Sequence, residues 1–389
     1  MSSRRAVTSR TKLRPAVVKI GTSSMTGADG GIDAGAVNKL ASEVAALWRL
    51  GRPIVVVTSG AVSAGIAATK MTKRPSETTM LQALSAIGQH HLMRVYDEAF
   101  APEGLRCGQV LLSLSDFGVR RQYLHARETI DTLVELEAVP IVNENDAVAD
   151  DEIRFGDNDR LAALVANLVG AECLVLLTDT EGLFDADPRR VADATLVEQV
   201  AAADAAFDDV AGGPGSPGGR GGMGSKLAAA RMAAWCGVRG VIAAADRPGV
   251  VADAIAATPG VGTAVLPDES RLPGRKAWIA FALPARGRVV VDEGARRAVV
   301  ERSASLLPAG VIGIEGSFSP DDAVEIVAGG DVFAKGLARL GSERAHEWIG
   351  RRSSDLPSGL SGEVVHRDDL VVLVTEHRKT TAKPRLSSR

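Results

Sequence analysis

The chain has 389 residues and a formal net charge of −3, with 46% hydrophobic and 24% charged residues. At roughly 150 residues per domain it holds two or three domains, enough to bury a core without disulfides or a structural metal. The near-neutral charge excludes a strongly basic nucleic-acid-coating body, and three scattered cysteines (Cys107, Cys173, Cys236) without CxxC spacing exclude a disulfide framework or zinc site and suit a reducing cytoplasm.

Residues 1–13 and 376–389 read as solvated, disordered basic tails: the first carries Arg4, Arg5, Arg10 and Lys12 with no acid. No apolar run follows the basic N-terminus as a secretory signal requires. Pro15 to Ile20 reads as a strand, and Asp33 as the N-cap of a helix with Val37, Leu40, Val44, Leu47 and Leu50 at helical spacing, ended by Gly51. Ile54 to Val57 is a strand buried on both faces. A helix over Thr78 to Phe100 is followed by a strand at Gln109 to Leu112, a helix over Arg121 to Glu137 and a strand at Val139 to Val142. A helix from Asn158 to Val169 precedes a strand at Cys173 to Leu177. That apolar stretch is broken by Asn167 and Glu172, so no membrane span is expected. A helix over Ser225 to Cys236 and a strand at Gly240 to Ala244 complete the series. Strands alternating with helices predict an α/β domain over 14–284, with an open, mostly parallel sheet and helices on both faces.

Beyond Pro284 the strands become short: Val289 to Val291, Val311 to Ile314, Val324 to Val327 and Leu370 to Val374, with one helical piece from Gly294 to Arg302. This predicts a small β-rich domain over 285–375, a compact barrel.

In an open parallel sheet, ligands bind beyond the carboxyl ends of the strands. Lys19, Gly21, Thr22 and Ser23 follow the first strand, Thr58, Ser59 and Gly60 the second, Asn143 to Asp146 the fourth, and Thr178 and Asp179 the fifth. Single residues of these types are commonly caps and turns; four successive strand ends of this kind predict one polar site.

Residues 212–224 read GGPGSPGGRGGMG and run directly into Ser225, Lys226 and a helix. A flexible linker has this glycine content, but a lysine in the first turn of an Ala-rich helix suits a phosphate loop backed by a helix N-terminus. Gly219, Gly221 and Gly224 match GxGxxG formally, but no strand leads into them, and Ser225 interrupts a Walker A pattern. Asp116-Phe117-Gly118 and His366-Arg367-Asp368 mimic protein-kinase motifs in reversed order. The histidines avoid the strand ends, which disfavours a His-dependent triad or a zinc hydrolase.

Lys19 and Lys226 can face each other across an anion. Phosphoryl transfer needs positioned cations, backbone donors and Mg²⁺. A carboxylate acceptor is already ionised and needs no general base. Asp157, Asn158 and Asp159 crowd one helix N-terminus, more polar groups than a cap requires, and a carboxylate there can hold the lysines.

Taken together, VVKIGTSSMT (17–26), VVVTSGAVSAG (55–65), VPIVNENDAVA (139–149), IRFGDNDRLAALVA (153–166), LLTDTEGLFDADPR (176–189) and GGMGSKLAAA (221–230) resemble the amino-acid kinase family. With VDEGA (291–295), SLLPAGV (305–311) and VVHRDDL (364–370), the resemblance extends to members that phosphorylate glutamate and end in a PUA-type barrel. It implies ATP-dependent phosphorylation of the γ-carboxylate of L-glutamate with Mg²⁺, at the first step of proline biosynthesis. Lys19 and Lys226 would stabilise the transferring phosphoryl group and Asp159 would organise them. Ser59, Asp146, Asp157 and Asn158 would bind glutamate. Thr178, Asp179 and the loop Arg220, Gly221, Gly222, Met223, Gly224, Ser225 and Lys226, with Lys19, would bind ATP. Arg220 stands where the family pattern has Thr, and Gly224 replaces a small polar residue. Inhibition by proline, a homo-oligomeric state and hand-over to glutamyl phosphate reductase are further implications of the resemblance.

Two other readings are another carboxylate or carbamate kinase of the same fold, and RNA binding through the C-terminal domain. From Arg288 to Thr375 ten Lys/Arg stand against fourteen Asp/Glu, and an acidic domain disfavours phosphate neutralisation.

Overall fold

A computed structural model describes residues 13–27, 30–148, 158–188, 190–191, 193–202, 204, 207, 222–267, 272–351 and 362–373. Residues 1–12 of the N-terminal tail, the whole C-terminal tail, most of the glycine-rich segment, Asp157, Arg220 and Gly221 lie outside the described residues. The chain divides into two compact units, Met1–Gly274 and Arg275–Arg389. This division precedes the boundary expected at 284, because the intervening segment is tied to the C-terminal sheet. Lys335 Nζ donates to the carbonyl of Ala280 at 3.2 Å and to that of Leu283.

The first unit runs β1 (Ala16–Ile20), α1 (Ala34–Arg49), β2 (Ile54–Val57), α2 (Ala61–Ala68), α3 (Thr78–Phe100), β3 (Arg106–Leu112), α4 (Leu114–Gly118), α5 (Arg120–Glu135), β4 (Ala138–Glu144) and α6 (Asn158–Leu168). It continues through β5 (Cys173–Thr178), β6 (Gln199–Ala201), α7 (Met223–Trp235), β7 (Arg239–Ala244), α8 (Val250–Ala256) and β8 (Thr263–Leu266). The strands form one sheet in the order β3-β4-β2-β1-β5-β7-β8-β6. Neighbours are parallel except β7 and β8, which are antiparallel.

The continuous apolar runs of β1, β2, β4 and β5 are buried at every position, as strands covered on both faces must be. Ala16, Val18 and Ile20 pack into a core with Val37, Leu40 and Val44 of α1, Leu92 and Tyr96 of α3, and Val250 and Val251 of α8. Lys19 points to the opposite face, toward α6. Asp33 caps α1 as expected: its Oδ1 accepts from the amides of Gly35 at 2.8 Å and Ala36 at 3.2 Å.

The sequence pattern does not reveal α2, α4, α8, β6 or β8. Gly60 and Gly65 made α2 look like loop. Gly60 is needed at φ 100 before the helix, and a Cβ at Gly65 would lie 1.9 Å from the Leu84 carbonyl oxygen. A Cβ at Gly88 would likewise lie 1.8 Å from the Ala61 carbonyl oxygen, so α2 and α3 meet backbone to backbone.

The second unit holds α9 (Gly274–Ala277, starting at the division), a π-helical turn (Trp278–Ala282), β9 (Gly287–Val291), α10 (Glu293–Arg302), β10 (Val311–Gly316), β11 (Ala323–Ala328), β12 (Asp331–Ala338), α11 (Ser342–Glu347) and β13 (Val365–Val372). Its strands form a five-stranded sheet, order β10-β9-β11-β12-β13, antiparallel except for β9 and β11. Val289, Ile326, Phe333, Trp348 and Val365 lie in its core. Strand β12 was missed because FAKGLA lacks β-branched residues. Its Gly336 is required by close approach, since a Cβ there would meet Val365 Cγ1 at 2.4 Å. No helix among the described residues is long and apolar enough to cross a membrane.

Candidate active site

The chain leaves β1, builds β2, β3 and β4 on one side of it, and returns to place β5 on the other. That reversal is the topological switch point where open α/β sheets bind ligands. The ends of the parallel strands β1, β2, β4 and β5 open on this edge and bring Lys19, Ser59, Asp146 and Thr178 to it.

At the centre, Asp159 in the first turn of α6 binds two lysines. Lys19 Nζ lies 2.6 Å from Oδ1 and Lys226 Nζ 3.4 Å from Oδ2. Ser225 Oγ donates to the same Oδ2 at 2.8 Å. Asp159, Lys19 and Lys226 are 0%, 3% and 5% exposed. Burial alone would raise the Asp159 carboxyl, but the charges of Lys19 and Lys226 and the hydrogen bonds from Lys19 and Ser225 outweigh it and hold it below the ordinary carboxylate value. Burial pulls the Lys226 ammonium down, partly offset by Asp159. Asp159 therefore faces two ammonium groups, and the charge of Asp179 also acts on Lys226.

Lys226 and Ser225 reach this point because α7 starts at Met223, after the N-cap Gly222, and lies close on β7, where a Cβ on Gly240 would meet that of Ala230 at 2.7 Å. Met223 and Gly224 complete the first turn. Its N-terminal amides and Lys226 form the kind of end that binds phosphate. Thr178 Oγ1 donates to Asp179 Oδ1 at 3.0 Å at the end of β5. A cavity of about 410 Å³ takes in Thr178, Asp179, Asp246 and Ser24 but neither lysine of the central pair.

On the β2–β4 side, Asn158 Nδ2 donates to the Thr58 carbonyl and to Asn143 Oδ1, the latter at 2.8 Å. Asn158 Oδ1 and Ser59 Oγ are buried atoms without a hydrogen-bond partner among the described residues. Buried polar atoms are rarely left unpaired, which makes both candidates for a ligand contact. Asp146, in a 3-10 turn after β4, accepts from Ser85 Oγ at 2.8 Å. Burial raises its carboxyl above the ordinary value, with Ser85 and Arg74 opposing.

The structure thus brings together Lys19, Ser59, Asp146, Asn158, Asp159, Thr178, Ser225 and Lys226. It adds Ser85, Gln89 and Tyr96 of α3, which stand behind these groups together with the strand-end residue Asn143 of β4. Tyr96 donates to Thr58 Oγ1 at 2.8 Å, and Gln89 Oε1 accepts from Asn143 Nδ2 at 2.8 Å. The signal was Ser85 and Gln89 at i and i+4 within the buried stripe Leu81, Leu84, Gly88 and Leu92.

Among the described residues no group of three or more His, Cys, Asp or Glu is placed to hold a metal ion, and both Asp159 oxygens are engaged.

The sequence pattern of the amino acid kinase family matches residues 14–244, and that of the PUA domain residues 287–360. A glutamate 5-kinase of Pelobacter propionicus is 42% identical over 93% of this chain and 98% of its own length. A glutamate 5-kinase of Rhodococcus opacus is 45% identical over 92% and 96%. One of Chromohalobacter salexigens is 45% identical over 93% and 97%. The chain belongs to the amino acid kinase family, on the branch of these glutamate 5-kinases, with a C-terminal PUA domain.

Proposed function

We propose that the chain transfers the γ-phosphoryl group of ATP to the γ-carboxylate of L-glutamate, giving L-glutamyl 5-phosphate and ADP at the first step of proline biosynthesis. The observation that carries this reading is the buried Lys19–Asp159–Lys226 bridge at the switch point. The relatives matched over more than nine-tenths of the chain, all glutamate 5-kinases, support it.

A γ-carboxylate oxygen forms a bond to the γ-phosphorus while the bond to the β–γ bridging oxygen breaks, and ADP leaves with that electron pair. The acceptor is ionised near neutral pH, so the site needs no base to deprotonate it. Lys19 and Lys226 neutralise charge on the equatorial oxygens of the transferring group. Asp159 holds both ammonium groups so that little reorganisation accompanies transfer. Met223, Gly224 and Ser225 at the N-terminus of α7, with Gly222 and with Arg220 and Gly221 outside the described residues, cradle the nucleotide phosphates. Thr178 and Asp179 meet its nucleoside side. Mg²⁺ on the phosphates would supply further charge neutralisation. Ser59, Asp146 and Asn158 bind glutamate, joined by Asp157 from outside the described residues.

Proline shares the α-amino and α-carboxylate groups of glutamate and would compete for the same residues. An acyl phosphate is labile in water, which favours direct hand-over of the product to glutamyl phosphate reductase.

The test is ADP release by the purified full chain with ATP, Mg²⁺ and a panel of amino acids and carbamate, with hydroxylamine trapping the acyl phosphate. Glutamate-dependent release with hydroxamate formation is expected. Release with another acceptor and none with glutamate would sink the reading.

A further inference from the structure

We propose that Gln89 is a positioning residue for the acceptor substrate, acting through Asn143 on Asn158. The inference rests on the glutamate-kinase reading for what the site binds.

The polarity of this line of amides is set by backbone groups. The Thr58 carbonyl can only accept, so the Asn158 amide must turn its nitrogen toward it. The Glu144 amide can only donate, and it donates to Asn143 Oδ1 at 2.9 Å. Asn143 therefore offers its oxygen to Asn158 Nδ2 and must place its own nitrogen against an acceptor. Gln89 Oε1 is that acceptor at 2.8 Å, and Gln89 Nε2 in turn donates to Gln109 Oε1 at 3.2 Å. Every hydrogen bond from Gln109 to Thr58 thus has one allowed direction, and the free end is Asn158 Oδ1. That atom is buried and unpartnered among the described residues, an acceptor aimed where the substrate binds.

Gln89, Asn143 and Asn158 are 8%, 2% and 3% exposed, so no solvent substitutes readily for a lost member. Removing the Gln89 oxygen leaves the Asn143 amide nitrogen buried without its acceptor, and the Asn143 side chain then loses the orientation that holds Asn158. Gln89 itself is well fixed. It follows Gly88, whose missing Cβ lets α3 touch α2 directly beyond Ser59 and Gly60. One turn earlier, Ser85 donates to Asp146. A single helix face thereby steadies three of the residues proposed to bind the acceptor. Gln89 touches no substrate in this arrangement and takes no part in the phosphoryl transfer.

The experiment measures kcat and the KM values for glutamate and ATP on the purified full chain, with thermal melting of each variant. Gln89→Met keeps the shape and removes the relay, and it should raise KM for glutamate about five- to tenfold while KM for ATP stays put. Gln89→Glu keeps an oxygen toward Asn143, and the exposed Gln109 amide can turn to donate, so it should stay within about twofold of the parent. Gln109→Ala, at the exposed end, probes the same line without touching the core and should raise KM for glutamate about twofold. In an Asn158→Ala background, Gln89→Met should add no further increase, because the two act as one unit. An unchanged KM for glutamate in the folded variants, equal rises in both KM values, or additive effects with Asn158→Ala would overturn the inference. A parent enzyme without glutamate-dependent turnover would overturn the functional reading itself, and the inference with it.

Discussion

Asp159 and Lys226 start two different helices yet stand 3.4 Å apart with their side chains buried, and Lys19 lies on the other carboxylate oxygen. Replacing Asp159 strands two buried ammonium groups. Asp159→Ala should cost about 3–5 kcal/mol of stability, as breaking a buried ion pair does. Urea unfolding would measure it. The carboxyl is held below its ordinary 3.8, so its contribution is full above that value and is lost as pH falls through the depressed one. The stability gap between parent and Asp159→Asn should therefore be constant near neutrality and shrink only in strong acid.

Lys226→Ala should lower kcat on the order of 100-fold or more and leave KM for glutamate nearly unchanged, because the charge acts on the transferring group. A variant with normal turnover would remove Lys226 from the chemistry. Burial holds its ammonium below the ordinary 10.5, so the useful charge is present at low pH and lost as pH rises through that lowered value. The alkaline fall of kcat should begin earlier than for an ordinary lysine, and Lys226→Arg should move it upward in a pH profile.

Asp146→Ala should raise KM for glutamate about 10- to 100-fold with a smaller effect on kcat. The Asp146 carboxyl is raised by burial, so it becomes neutral on acidification earlier than an exposed aspartate. KM for glutamate should rise as pH falls through that value, and the rise should be absent in Asp146→Asn. A flat acid limb in the parent would place glutamate elsewhere.

Strand ends and central lysines were legible because they depend on local signals. Apolar runs such as Ile54–Val57 ended in polar residues, and Asp33 preceded a clear helical stripe. Ser85, Gln89 and Tyr96 were not legible as site residues because they act across the sheet edge from the middle of a 23-residue helix. Their partners, Asp146, Asn143 and Thr58, are distant in sequence. Helix α2 was hidden by glycines whose purpose, close approach to α3, appears only in three dimensions.

That approach gives a further test. Gly88→Ala drives a Cβ into the Ala61 carbonyl and the Gly65 amide nitrogen, 1.8 and 2.4 Å away. It should cost about 1–3 kcal/mol in thermal or urea unfolding, as overpacking does. Because α2 begins next to Ser59, KM for glutamate should rise more than KM for ATP. Equal changes in the two would place the strain away from the acceptor side.

Strand β1 divides the sheet into two working halves. The groups proposed to recognise the amino acid hang on β2, β4 and α3 to one side, and those proposed for the nucleotide on β5 and α7 to the other. Only Lys19 and the start of α6 serve both. Mutations on the β2–β4 side can thus redraw the choice of acceptor while the phosphate-handling half is inherited intact, so libraries aimed at new acceptors are best confined to that side.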